Sequence, residues 1–170
     1  MDDLQVLKSL KYFLTENVSK RIKLECPPKN NVLDEEYKLV NPAVYIGWLP
    51  PKNFLQDYDY DVPSILIMSD GGSDEGDEAG VNIRLVIATY DPGQTLEEGT
   101  QINFKGYKDL LNIITKIRIA LTEQLTLNCG IINKPIKWSM YEEQSYPYWH
   151  ASMEFKVDTV PFNFNTNNFL

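Results

Sequence analysis

The chain has 170 residues, of which 43% are hydrophobic, 24% charged and 12% aromatic. That length corresponds to about one domain able to bury roughly 70% of its unfolded surface, and the composition excludes disorder as the main state. The net charge is −8, and the stretch from Asn53 to Ile83 holds eight acids and no Lys or Arg, which leaves the rest balanced at 16 acids and 16 bases. With no basic stripe to release counterions from phosphate, direct binding to DNA or RNA is disfavoured.

Leu4, Leu7, Leu10, Leu14 and Val18 recur at spacings of three and four, which predicts an amphipathic helix over about residues 3–20. Asp2 and Asp3 at its start and Lys20, Arg21 and Lys23 near its end match the helix dipole. Ile22 to Glu25 reads equally as more helix or a new strand, and Pro27-Pro28 forbids helix beyond it. Met1-Asp2-Asp3-Leu4 lacks the basic and apolar regions of a signal peptide, and no segment reaches the ~18 apolar residues of a membrane span. The expectation is a soluble protein made in a cytoplasm, with no membrane partner. Cys26 and Cys129 have no nearby His or second Cys, so they read as core thiols in a reducing compartment rather than a zinc or redox pair.

Lys29 to Val40 is polar and reads as a loop. Ala43 to Leu49, β-branched and aromatic between Pro42 and Pro50-Pro51, predicts a strand. The Tyr/Asp loop Asp57 to Asp61 leads into the apolar run Val62 to Met68, a strand of mid-sheet character. Val81 to Asp91 alternates with period two, so these two strands form a hairpin whose tip is the acidic insertion of about residues 69–80. Tyr107, Leu110, Leu111, Ile114, Ile117 and Leu121 restore helical spacing and predict a second helix over about 105–125, stopped by Asn128-Cys129-Gly130 in the left-handed manner. Ile136 to Glu142 and Tyr148 to Val160 complete the set of strands. In the last, Trp149, Ala151, Met153, Phe155 and Val157 share the buried face, against His150, Ser152, Glu154, Lys156 and Asp158 on the other.

Grouped strands with two helices predict an α+β fold: a mostly antiparallel sheet of about five strands, with both amphipathic helices packed on one face. A single domain covers residues 1–162, and residues 163–170, rich in Asn and Phe, form a C-terminal tail.

The parts of an active site are missing. His150 is the only histidine, so a centre needing two imidazoles is excluded; a small hydrolase would have to use it, yet no Gly-x-Ser-x-Gly elbow occurs. The acidic segment Asp70 to Glu78 lacks the acid spacing of an EF-hand and reads as a solvated tip. Its glycines are followed by no Lys or Thr, so it is not a phosphate-binding loop. Glu142 and Glu143 are adjacent on a strand and point to opposite faces, unlike paired glycosidase carboxylates. No catalytic, cofactor-binding or metal-ligating residue is therefore assigned, no cofactor is expected, and the protein reads as no enzyme. What stands out is Tyr, Trp, Phe and Pro in loops and near strand ends, the furnishing of a partner-binding surface, with core filling as the plain alternative for each.

The order of elements resembles that of bacteriophage tail terminator (tail completion) proteins, including those of contractile tails and phage-like particles. The likeness is carried by the opening helix, the strand ending in Gly47-Trp48-Leu49-Pro50-Pro51, and the apolar strand pair around a polar insertion. It continues through Tyr90-Asp91, Gly106-Tyr107-Lys108-Asp109 at the start of the long helix, and Tyr146-Pro147-Tyr148-Trp149 before the final strand. The resemblance implies a structural virion protein that forms a ring, usually a hexamer, on the last disc of the tail tube or sheath. That ring stops growth and offers a joining surface to the head connector. Its place would be the head-proximal end of the virion tail, assembled in the bacterial host cytoplasm. A head-tail connector or stopper protein is the alternative. The family has no catalytic residues to carry over.

Overall fold

The protein is described here by a computed structural model covering residues 2–28, 37–51, 55, 57–96, 99–101 and 103–162. Helix α1 spans Asp3–Asn17, with Val6, Leu10, Phe13 and Leu14 buried along one stripe. Asp2 caps it, accepting the Leu4 N–H at 3.0 Å, which satisfies one of the orphan donors of the first turn. A 3₁₀ turn, Ser19–Arg21, ends it. The ambiguous stretch that follows becomes strand β1, Leu24–Glu25, paired antiparallel with β2, Leu39–Val40. Of the predicted loop over residues 29–40, residues 29–36 lie outside the described residues, as does the tail at 163–170.

The remaining elements are β3 Ala43–Ile46, β4 Ser64–Asp74, β5 Ala79–Tyr90, β6 Gln94–Leu96, β7 Gly99–Gln101, α2 Lys105–Glu123, β8 Thr126–Leu127, β9 Gly130–Met140 and β10 Tyr148–Thr159. Six of the strands form one sheet in the order β3-β4-β5-β10-β9-β8, while β6 pairs with β7 apart from it. The fold is thus α+β, with a larger sheet than the five strands expected. Its sixth strand, β8, is two residues long with only Leu127 buried, too short to leave a periodic signal. All ladders in the sheet are antiparallel except β3 with β4, which run parallel. Residues 47–63 supply the long connection a parallel pair requires.

One apolar cluster joins Leu10 and Leu14 of α1, Leu110, Ile114 and Ile117 of α2, Ile65 and Ile67 of β4, Ile83, Leu85 and Ile87 of β5, and Ala151, Met153 and Phe155 of β10. The strand residues alternate in sequence, as the period-two reading of the final strand requires. Smaller clusters around Tyr45 and Leu66, and around Ala88 and Tyr90, engage the intervening positions.

Two expectations are corrected. The acidic segment is mostly ladder: β4 continues to Asp74 and β5 begins at Ala79, so the tip is only Glu75 to Glu78, with Glu75 N–H donating to Glu78 C=O at 2.8 Å. Ser69 to Asp74 is exposed on both faces, so no hydrophobic alternation marks it as strand, and a bulge lies between Ser69 and Gly71. Likewise, Asn128-Cys129-Gly130 does not stop α2. The helix ends at Glu123 with Gln124 as its C-cap, and Asn128-Cys129 is the turn from β8 to β9. Gly130 is needed for close approach rather than a left-handed backbone, because a Cβ there would lie 2.3 Å from the Asp158 carbonyl oxygen.

Candidate functional site

Three of the segments that carry the family resemblance meet at one end of the sheet, where β5 finishes, β10 begins and α2 starts. Phe104, the N-cap of α2, makes no side-chain cap. Asp91, only 1% exposed, does the capping from the end of β5: Oδ2 accepts the Gly106 N–H at 2.7 Å and Oδ1 accepts the Gly93 N–H at 2.9 Å. A carboxylate against the first-turn donors of a helix is favoured by both hydrogen bonding and the dipole. Thr89 Oγ1 donates to the Gly106 C=O at 2.9 Å, so strand and helix hold the same glycine from both sides.

Trp149 closes the junction. A Cβ on Gly106 would sit 2.4 Å from its ring, and Tyr107 packs edge-on against it with centroids 6.0 Å apart. The Tyr146-Pro147 segment is tied in as well: Asp91 N–H donates to Pro147 C=O at 2.9 Å, and the Tyr146 hydroxyl donates to Pro92 C=O. Around this framework Tyr37 meets Tyr90 edge-on and Tyr90 meets Tyr148 at a tilt, with centroids 5.6 Å and 5.4 Å apart. Burial is the chief cause pushing the hydroxyls of Tyr90 and Tyr148 up from their ordinary value, so they stay neutral.

The opposite end of the sheet is chemically different. There the acidic turn Glu75 to Glu78 joins the end of β4 to the start of β5, β10 ends with Thr159 beside Ala79, and Asp74 accepts N–H groups from Gly76 at 3.0 Å and Phe162 at 2.9 Å. Those backbone donors hold its carboxyl below the usual range. Among the described residues no group of three or more His, Cys, Asp or Glu could hold a metal ion.

His150 lies on β10 away from any hydroxyl nucleophile in the described hydrogen bonds. Its ring stacks on Tyr141 at 5.9 Å, and its backbone N–H donates to Gln144 Oε1 at 2.6 Å. Burial lowers its pKa below the ordinary 6.5, so the imidazole is neutral at neutral pH. Ser152, two residues on, pairs its hydroxyl with that of Ser139 at 3.1 Å, and Ser145, five residues before, accepts the Tyr148 N–H through its carbonyl. Glu142 and Glu143 fall in the β9–β10 connection and not on a strand.

Among large apolar side chains Trp48 is the most exposed of those described, at 81%, and Phe104 follows among those near the junction at 68%. Trp48 is presented by a backbone reversal: Gly47, at φ 77°, takes the left-handed conformation that favours glycine and turns the chain off β3. Its own N–H still donates to Ile67 C=O at 2.8 Å, so the reversal is fixed to the sheet. Protein-family models and curated proteins were both compared with the chain, and neither set contains a match. No helix among the described residues is long and apolar enough to cross a membrane.

Proposed function

We propose that the protein ends the growth of a phage-type tail. Copies form a ring, six-membered as in the family it resembles, on the last disc of tail tube or sheath, and the ring's far side meets the head connector or closes a headless particle. In this reading both helices cover the sheet face that carries Ile83, Leu85 and Met153, and the protein works in the virion at the head-proximal end of the tail. It needs no cofactor and no catalytic residue.

The observation that supports this most is the contrast between the two ends of one rigid sheet. One end is aromatic, with Phe104 and Tyr146 exposed around the Asp91–Gly106 junction, and the other is acidic and carries the Glu75 to Glu78 turn. A protein stacked between two different neighbours along an axis requires two different surfaces, and exposed aromatics anchored on rigid backbone are the common hot spots of such contacts. An acidic surface also suits a ring through which DNA slides without sticking.

Gold labelling of an epitope-tagged chain on intact particles tests the assignment. Label at the head-proximal end of free, headless tails supports a terminator. Label on tailless capsids points to the connector.

A further inference from the structure

The six-stranded sheet has two open edges, and they complement one another. On one side β3 covers β4 only from Ser64 to Ile67, where Gly47 turns the chain away. Beyond Ile67, among the described residues, no strand pairs with the outer edge of β4, which carries Asp74 and Asp70, the latter ion-paired to Arg84 of β5 at 2.9 Å. On the other side β8 covers β9 only at Gly130 and Ile131, and Leu125 C=O accepts the Ile132 N–H at 2.7 Å. The rest of that edge, with Lys134 and Lys137 both exposed, has no partner strand among the described residues. An open edge is a row of unpaired backbone donors and acceptors that templates another strand.

Both open edges lie at the same height on the sheet. Met68, Arg84, Glu154 and Lys137 are successive register partners, and so are Gly71, Asn82, Lys156 and Asn133. The bulge of β4 between Ser69 and Gly71 and the irregularity of β9 opposite Glu154 to Lys156 fall in the same interval. The strands alternate in direction from β4 through β5 and β10 to β9. A second copy rotated about an axis along the strands therefore brings its β9 antiparallel to the first copy's β4. Rotation without rise needs edges at equal height, and a head-to-tail contact of that kind closes into a ring when its rotation divides a full turn.

We propose that neighbouring copies of this chain join edge to edge, β4 of one against β9 of the next, with the acidic strand facing the basic one. The inference rests on the ring reading above and specifies its interface. Charge disfavours the pairing of two Lys-bearing edges, whereas the β4 edge, whose Asp70 is ion-paired to Arg84 of β5 at 2.9 Å, offers Lys no such repulsion. Pro135 removes one donor from β9, so the pairing depends on the residues to either side of it. Two tryptophans flank the joint. Trp48 follows Gly47 at the base of the open β4 edge, and Trp138, 43% exposed on β9, lies level with Ile67 through Met153 and Leu85. The Arg118 guanidinium stacks over Trp138 at 3.6 Å from the ring centroid, adding a third cation to the basic edge.

The test is a cross-link in tails purified from the producing bacterium, with Ser69→Cys and Lys134→Cys in the full chain. Both positions are exposed, and the native Cys26 and Cys129 are buried. Antiparallel neighbours fall within disulfide reach, about 4.4–6.8 Å between Cα atoms. Mild oxidation is expected to give a ladder of covalent oligomers up to the ring size, lost when either cysteine is present alone. Should that pair impair folding, Met68→Cys with Lys137→Cys repeats the experiment one rung away. A ring on the tails with no ladder from either pair overturns the edge joint and leaves the terminator reading standing, and so do dimers from a single-cysteine variant. A ladder that appears only when residues 163–170 are removed assigns the edge to the chain's own C-terminus and also overturns it. Absence of the protein from tails ends both.

Discussion

The Asp91 carboxylate, at the end of β5, accepts the Gly106 backbone N–H at 2.7 Å across fifteen residues of sequence, and together with Asn103 Oδ1, which accepts the Lys105 N–H at 2.9 Å, it fixes where the second helix begins. It also ties the helix to Pro147 and Trp149 through the same buried corner. Asp91→Ala strips the acceptor from both Gly106 and Gly93 and is expected to cost about 2–3 kcal/mol, the range for buried hydrogen bonds to a charged group. Gly106→Ala drives a methyl into Trp149 and is expected to cost about 1–3 kcal/mol by overpacking. Urea denaturation measures both; losses under about 0.5 kcal/mol would show the corner to be incidental.

The final strand allows a sharper check of register. Met153 is 0% exposed and packs in the main cluster, whereas Glu154 faces the other side and is exposed. Met153→Asp places an unpaired charge in the core and is expected to cost several kcal/mol, while Glu154→Gln stays within about 0.5 kcal/mol. Equal melting temperatures for the two variants would contradict the register.

How much of this was legible in the sequence depended on whether burial leaves a period. The stripes of α1 and α2 and the alternation from Ala151 to Val157 announce themselves because one face of each is buried. Ser69 to Asp74 is strand with neither face buried, so it reads as loop. In β9 only Ile132 is buried among the first six residues, Gly130 to Pro135, so no alternation marks them and the strand is expected only from Ile136. The Asp91 cap of α2 was invisible for another reason. Asn103 supplies a local cap to the Lys105 N–H, but the Asp91 acceptor for Gly106 lies fifteen residues away in sequence. The aromatic motifs could be recognised, but their meeting at Gly106 required the sheet order to be known. The open edges likewise exist only once the ladder is assembled.

Stability should depend on pH through His150. Burial lowers its folded pKa below the ordinary 6.5, so the unfolded chain takes up the proton first. Its contribution is complete above about pH 6.5 and declines as the pH falls through that value toward the folded pKa. His150→Gln is expected to flatten the melting temperature between about pH 7.5 and 5.5 relative to the wild type. Asp109 works in the opposite sense, since burial raises its carboxyl above the ordinary 3.8. Parallel curves for wild type and variant above pH 5.5 would mean that His150 is not desolvated.

Trp48 separates folding from assembly. Exposed as it is, it contributes little to the core, so Trp48→Ala is expected to change stability by no more than about 0.5 kcal/mol. As an interface anchor its truncation is expected to weaken incorporation into tails by about tenfold or more, a loss of at least about 1.4 kcal/mol. Unimpaired incorporation, read from the amount of protein per purified tail, would remove Trp48 from the assembly surface.

The measurement that bears most directly on the proposed function is tail length in particles from a strain lacking this gene. Electron micrographs are predicted to show tails of irregular and often excessive length, with tube or sheath growth no longer capped, and normal lengths restored when the intact chain is supplied. Tails of wild-type length beside empty or tailless capsids would contradict a terminator and assign the protein to the head-to-tail connection.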